Sequence, residues 1–329
     1  MKNRRPETVI LQALLDAHPD VVSGAALARE LGMSRVAVWQ HMEKLRDQGF
    51  AFEAMHAKGY RLTGKPSALN AALIDAYRRA DKAPGVVHVL DEIDSTNDEA
   101  LRRLSAGDET PFAILARRQT KGRGRFGRVW HSESGNLYAS FAFRPEVEPA
   151  RMQTFTLWMG VSLCELIAKF CRTSPHIKWP NDILFDGRKA GGMLTEARMD
   201  ADRIRDLVFG IGLNLAPPDG GWPDGLADRA ISLGEHTRQP IDANRFAAAL
   251  TGRVFQAYQR FINGDYTRDF ADLWNAHDLL RGRVITIVQG SRTITGTARG
   301  IDDEGSLLLK PAHGPVERFR AGEVTIAKK

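Results

Sequence analysis

Only Gly32 and Met33 separate two stretches of helical periodicity, and so short a joint between helices leaves few folds open. Ser23 is placed to cap a helix carrying Ala26, Leu27 and Leu31, which Gly32 terminates. Ser34 caps the next helix, whose Val38, Met42 and Leu45 recur at i, i+4 and i+7 until Gly49 stops it, and small Ala28 sits where the two helices cross. Upstream, Pro6 suits a first helical position, and Val9, Ile10 and Leu14 give an apolar face. Residues 50–62 predict two short strands around a turn. Three helices, a tight turn and a hairpin make a winged helix-turn-helix, a module whose recognition helix enters the DNA major groove. Ser34, Arg35 and Gln40 are the residues expected to reach DNA, with Lys58 at the wing tip. Residues 1–63 carry nine Lys and Arg against seven Asp and Glu, a small footprint for one copy that a dimer would double. A small helical protein-interaction domain is the competing reading.

The chain then changes character twice. Residues 64–80 read as a linker leading into a helix from Ser67 to Ala80. A mixed α/β region follows to about residue 275, with strands expected at 86–91, 112–118, 136–144, 175–179, 183–186, 188–197 and 205–213 and helices at 96–105, 152–171 and 242–262. Asp186-Gly187 between two strands has hairpin spacing, which argues for a mainly antiparallel sheet backed by helices. From Arg281 onward come short alternating strands at 283–288, 292–300, 306–310, 315–320 and 323–327, a small all-β barrel or sandwich. The expected domains are 1–64, 65–277 and 278–329, a multidomain α+β chain.

Several classes drop out. With 43% hydrophobic and 26% charged residues the chain is no disordered polymer. Cys164 and Cys171 lie about 10 Å apart along a helix, too far for one disulfide, and two thiols in 329 residues fit a reducing cytoplasm. The basic N-terminus imitates a signal peptide, but Glu7, Gln12 and Asp16 break its apolar run. Phe155 to Cys171, the most apolar helix, contains Glu165 and Lys169 and is short for a membrane span. A soluble, cytoplasmic protein with no membrane partner is expected.

The charge is concentrated. Lys and Arg number 46 against 40 Asp and Glu, and residues 117–128 carry Arg117, Arg118, Lys121, Arg123, Arg125 and Arg128 with no acid among them. The excess is one loop, which suits a small anionic ligand better than a nucleic-acid track. Gly122 to Gly127 formally matches the dinucleotide GxGxxG, yet two arginines and a phenylalanine fill its variable positions and no helix follows. Gly59 to Lys65 nearly matches a P-loop, but Pro66 stands where Ser or Thr would hold magnesium. HRD, DFG, HExxH, CxxC and GxSxG are absent from the sequence. Glycines let backbone amides approach an anion, and guanidinium forks bind carboxylate or phosphate bidentately, so the loop is read as anion capture. Three strings accompany it. Asp94-Ser95-Thr96-Asn97 lies between a strand and a helix, where Ser or Thr can cap. Lys178-Trp179-Pro180-Asn181-Asp182 puts an amide and a carboxylate at a turn. Arg188-Lys189-Ala190-Gly191-Gly192 opens a strand with a cation and two positions without side chains.

In this order the strings resemble the biotin protein ligases, in the bifunctional form that is also a biotin operon repressor. The resemblance rests on Ser95-Thr96-Asn97, GRGRFGR at 122–128, KWPND at 178–182, RKAGGML at 188–194 and GIGLN at 210–214. It spans all three segments, implying a winged helix-turn-helix, a mixed or antiparallel-sheet α/β ligase domain and an SH3-like C-terminal barrel. Phe126 departs from the commonest loop, which has another arginine there. The resemblance implies that biotin and ATP with Mg2+ form biotinyl-5′-AMP, and that biotin then passes to one lysine of a biotin carboxyl carrier protein. It assigns catalysis to Arg125 and Lys189. Biotin is assigned to Ser95, Thr96, Asn97, Gln119, Arg123, Gly124, Arg125, Lys189, Gly210 and Gly212. Asn181, Asp182 and Arg123 would meet ATP and magnesium, with no permanent metal ligand. Operator DNA and an adenylate-bound homodimer are the further partners implied. A biotin sensor without catalysis, a ligase for lipoate, and a ligase with a relic DNA-binding domain remain the alternatives.

Overall fold

The computed structural model describes residues 5–55, 58–79, 85–145, 147–218, 220–222, 224–237 and 239–327. The chain divides into two compact units, one of Met1–Val89 with Asp242–Gly252 and one of Leu90–Ile241 with Arg253–Lys329.

In the first unit α1 (Pro6–Ala17), α2 (Gly24–Leu31) and α3 (Arg35–Asp47) form where expected. Ser23 accepts from Ala25 N and Ser34 from Ala37 N, and Gly32 ends α2 in the left-handed conformation. The apolar stripes converge: Ile10, Leu11 and Leu14 meet Leu27, Val38, Met42 and Leu45, all at most 1% exposed. The wing is β1 (Ala51–Met55) paired antiparallel with β2 (Gly59–Gly64), and Phe50 and Leu62 close the core beneath it. Paired hydrogen bonds between Val22 and Tyr60, 2.8 and 2.9 Å, fasten the wing to the helices. The helix expected at 67–80 is shorter, α4 (Ala71–Tyr77), because Asn70 caps it by accepting from Leu73 N; Ala80 lies outside the described residues. Ala72, Leu73 and Ala76 belong to the winged-helix core, so α4 packs with the first unit although it lies beyond residue 64.

The second unit is built on a seven-stranded sheet in the order β3-β4-β5-β9-β8-β7-β6. Its elements are β3 (Val86–Ile93), α5 (Thr96–Ala106), β4 (Phe112–Gln119), β5 (Leu137–Phe143), α6 (Met152–Ile167), β6 (His176–Lys178), β7 (Asp182–Phe185), β8 (Arg188–Asp200) and β9 (Arg203–Leu213). From β4 to β6 every neighbouring pair is antiparallel, and Asp186-Gly187 is the expected two-residue hairpin. The sheet is mixed because α5 carries the chain from β3 to its neighbour β4, and Thr120 N to Ile93 O and Lys121 N to Asp94 O extend both strands in one direction. All seven residues of β5 are buried, as a strand covered on both faces requires. α5 covers one face through Ala100 and Leu104 against Phe112, Ile114, Ala142 and Val208. The other face meets a cluster of rings, Phe141, Phe143, Phe155, Phe209, Phe255 and Phe261. These come in part from α6 and from α7 (Ala243–Asn263). α6 stops at Ile167, short of the expected residue 171, as the chain tightens into turns through Lys169 N to Leu166 O and Phe170 N to Ile167 O. A helix with no counterpart in the sequence reading, α8 (Thr267–His277), buries Phe270, Trp274 and His277.

The C-terminal strands are β10 (Val284–Gln289), β11 (Arg292–Ile301), β12 (Leu307–Pro311), β13 (Glu317–Phe319) and β14 (Glu323–Ile326), in the order β13-β12-β11-β10-β14. The expected barrel is not closed, because β13 and β14 share no ladder among the described residues. It is nonetheless rolled. Four residue steps from Phe319 to Glu323 span at most about 14 Å, whereas the edges of a flat five-stranded sheet lie about 19 Å apart. A three-residue β13 is too short to complete the seam. Among the described residues no helix is long and apolar enough to cross a membrane.

Candidate active site

The twelve ligand-binding and catalytic residues named from the sequence line one cleft of about 660 Å³ in the second unit. Three strands make its floor. Ser140 of β5 stands opposite Gly210 of β9, which pairs with Leu194 of β8, and Gly212 pairs with Gly192. Strand alternation puts these residues, with Glu196, on the face that α5 covers. A Cβ on Gly210 would overlap the Asn97 amide, and one on Gly212 would lie 2.5 Å from the Trp130 indole nitrogen. Bare backbone is required there because α5 and a ring press on it.

At one end the cleft is polar. Ser95, Thr96 and Asn97 are 2 to 4% exposed at the start of α5. Ser95 occupies the N-cap but makes no capping bond, contrary to the expected Ser or Thr cap. Other groups take the amides: Ser95 N–H donates to Asp94 Oδ1 at 2.7 Å and Thr96 N–H to Gln119 Oε1 at 2.7 Å. Arg102 grips the Asp94 carboxylate with two 2.8 Å bonds and holds its pKa at about 2. The Thr96 hydroxyl lies 3.0 Å from Gln119 Oε1, and Gln119 Nε2 donates to Ser132 at 2.9 Å. The Ser140 hydroxyl sits 2.7 Å from Thr96 Oγ1 and 2.5 Å from Asn97 Oδ1, while Asn97 Nδ2 donates to Glu196 at 2.7 Å.

The other end is cationic. Lys189 Nζ pairs with Asp182 at 2.7 Å and lies 5.0 Å above the Trp130 ring. Arg125 donates to Asn181 Oδ1 at 3.1 Å, and Asn181 Nδ2 donates to Met193 O at 2.8 Å. Burial lowers the pKa of the Lys178 ammonium, with Lys189 and Arg128 adding to the effect against the opposing pull of Asp182. Arg125, Arg128, Lys178 and Lys189 thus face only Asp182 and Glu323, an excess of positive charge that fits an anion. The C-terminal sheet takes part: Arg128 pairs with Glu323 of β14, and Trp179 Nε1 donates to Gly305 O at 3.1 Å.

The loop is more ordered than its glycines suggest. Gly124 N–H donates to Arg128 O at 2.7 Å and Trp130 N–H to Gly122 O at 2.9 Å, folding the segment on itself. Phe126, 66% exposed, carries the Arg125 guanidinium 4.7 Å above its ring. Arg123 points away from the cationic end, to Asp98 at 2.7 Å and Glu196 at 2.8 Å. The sequence reading missed Trp130, Ser140 and Glu196. Trp130 offered a signal, a lone aromatic two residues after the loop; an ordinary Ser in an apolar strand and a Glu in a polar strand offered none.

In the first unit Ser34, Arg35, Gln40 and Lys58 are all exposed, although the Ser34 hydroxyl is engaged as the α3 cap. The outer face of α3 also shows Val36 and Trp39, 66% and 50% exposed. Neither was singled out, though a Trp off the apolar stripe of an amphipathic helix was a visible signal.

Three family models match consecutive parts of the chain: an HTH domain at residues 7–61, the biotin/lipoate A/B protein ligase family at 89–214 and the biotin protein ligase C terminal domain at 282–326. The bifunctional ligase/repressor BirA of Bacillus subtilis (strain 168) is 33% identical over 309 residues, 93% of this chain and 94% of that protein. The protein of the same name from Escherichia coli (strain K12) is 33% identical over 324 residues, 96% of each chain. The solved biotin protein ligase from Aquifex aeolicus in complex with biotin and ATP superposes with a TM-score of 0.63 at 28% identity, covering 74% of this chain and 99% of that one. With its cleft, its winged helix and its C-terminal sheet all accounted for along nearly the whole length, the chain belongs to the family of the bifunctional ligase/repressor BirA.

Proposed function

We propose that this chain is an ATP-dependent biotin–[acetyl-CoA-carboxylase] ligase that also represses transcription in response to biotin. The observation that carries the reading is one cleft with a hydrogen-bonding pocket at one end and unbalanced cations at the other, joined by a glycine floor. Biotin has that polarity, a ureido head and a carboxylate tail. Ser95, Thr96, Asn97 and Gln119 meet the head, and Gly210 and Gly212 keep the strand backbone bare where Asn97 and Trp130 close on it, so that those two side chains stand against the rings. Arg125 and Lys189 meet the carboxylate and the α-phosphate, with Gly124 lending backbone. A carboxylate is a poor acyl donor, so its oxygen first attacks the α-phosphorus and pyrophosphate leaves. Fixed cations stabilise the charge that gathers there. The lysine amine of a carrier domain then attacks the acyl carbon of the mixed anhydride, and AMP leaves.

Magnesium enters with the phosphates of the substrate. Asp182 and Asn181 offer one carboxylate and one amide oxygen, which fits a magnesium ion that keeps several waters. Residues 1–64 serve operator DNA, the chemistry falls within 65–277 on the cleft residues from Ser95 to Gly212, and 278–329 supply the rear wall of the cleft through Glu323. An adenylate-bound homodimer presents two winged helices to two half-sites. Release of pyrophosphate from biotin and ATP, with lipoate as competitor, tests the reading. Release supported by lipoate alone, or none at all, contradicts it.

Two further outcomes are expected. Gly210→Ala pushes Asn97 off Ser140 and Glu196, and should raise the KM for biotin at least about tenfold, the worth of one buried hydrogen bond or more, with the KM for ATP little changed. Steady-state kinetics with each substrate varied reads this. Trp39→Ala removes an exposed apolar group from the recognition helix, where thymine methyls are read. It should weaken operator binding by about tenfold in a fluorescence-anisotropy titration and leave pyrophosphate release unchanged.

A further inference from the structure

Arg123 carries the first guanidinium of the segment 122–128, yet the structure turns it toward two acids rather than toward the cationic end. Its Nη2 lies 2.7 Å from Asp98 Oδ1 on α5 and 2.8 Å from Glu196 Oε2 on β8. The same Oε2 accepts from Asn97 Nδ2 at 2.7 Å. Asn97 has no freedom to look elsewhere. It is 4% exposed, its Oδ1 accepts from Ser140 at 2.5 Å, and it rests on the bare backbone of Gly210. Glu196 is set by its strand, opposite Val208 in the central ladder. One carboxylate oxygen therefore joins the rigid floor of the head-group pocket to the loop.

We propose that Glu196 is a positioning residue that ties the loop 122–128 to the head-group pocket through this shared oxygen, with Asp98 as the second anchor. The proposal rests on the reading of Asn97 as a ligand of the biotin head. A charged acceptor serving two donors holds both more firmly than a neutral one. When biotin engages Asn97, the oxygen that orients Asn97 is the one that holds Arg123, so filling the pocket and seating the loop become one event. Arg123 thereby acts on the adenylate through the loop's position rather than through its own charge. The two acids leave that triad with a net negative charge, which suits a neutral ureido and not a phosphate.

The test compares the full chain with Glu196→Ala, Glu196→Gln, Arg123→Ala and the double variant Glu196→Ala/Arg123→Ala. Hydrogen exchange of the ligand-free proteins reads the tie itself at the amides of Gly124, Arg128 and Trp130. Dissociation of biotinyl-5′-AMP reads its use. Glu196→Ala should speed exchange at those amides and release of the adenylate by about tenfold each, with the KM for ATP within about twofold of the parent. Glu196→Gln, which keeps an acceptor but loses the charge, should fall between and guards against a folding defect. The double variant should exchange those amides no faster than Arg123→Ala alone, since without Arg123 the Glu196 carboxylate has nothing of the loop to hold. Unchanged exchange in Glu196→Ala overturns the tie, and so does multiplication of the two single effects in the double variant. Faster exchange with adenylate retention unchanged overturns the coupling to ligand. A parent protein that forms no adenylate contradicts the proposed function instead, and the exchange result then decides the tie alone.

Discussion

Lys189→Ala is expected to lower adenylate formation by roughly 100- to 1,000-fold, the usual cost of removing one charge-stabilising group from a preorganised site. Its ammonium sits 2.7 Å from Asp182 and over the Trp130 face, at the junction of pocket and cationic end. Removing it acts twice, because Asp182 is left without its partner and repels the phosphates. The side chain is 37% exposed, so the fold should survive and circular dichroism should be unchanged. Pyrophosphate release within about threefold of the parent would take Lys189 out of the reaction.

Arg125→Gly is expected to uncouple formation of the adenylate from its retention. Arg125 bonds Asn181 and stacks on Phe126, so its loss removes a cation and releases the loop from the KWPND turn. Losing one hydrogen bond of a charged group amounts to about 10- to 100-fold in dissociation rate. Some adenylate should still form, escape and acylate exposed lysines indiscriminately. If the seated loop also completes the dimer surface, operator binding should weaken and lose its response to biotin. Adenylate release and DNA affinity measured on one preparation check both. Fast release with biotin-dependent DNA binding intact would sever repression from the loop, and tight retention would remove the clamp altogether.

Local signals in the sequence carried most of the fold. The winged helix was legible because its caps, Ser23 and Ser34, and its apolar stripe at Val38, Met42 and Leu45 are short-range features. The Asp186-Gly187 hairpin was legible for the same reason. What escaped depends on distant partners. α8 has Phe270, Trp274 and His277 at i, i+4 and i+7, but lies close behind the break at Gly264 and reads as a tail without α6 to pack on. α4 looks like the start of the central region until Leu73 is seen in the winged-helix core. The seam of the C-terminal sheet is a question of whether two edges meet, which no strand pattern specifies. In the site, residues with distinctive chemistry in tight strings were legible, and all twelve line the cleft. Ser140 and Glu196 were not, since their place follows from strand register. Arg123 was visible as a charge, but its direction toward Asp98 and Glu196 was not.

The central claim is transfer of biotin through an adenylate, and incorporation of labelled biotin into a purified carrier domain tests it most directly. The full chain should label one lysine of the carrier when ATP and magnesium are present and none when ATP is omitted. Lys189→Ala should abolish most of the signal. Labelling independent of ATP, or pyrophosphate release with no label ever reaching the carrier, would contradict the account.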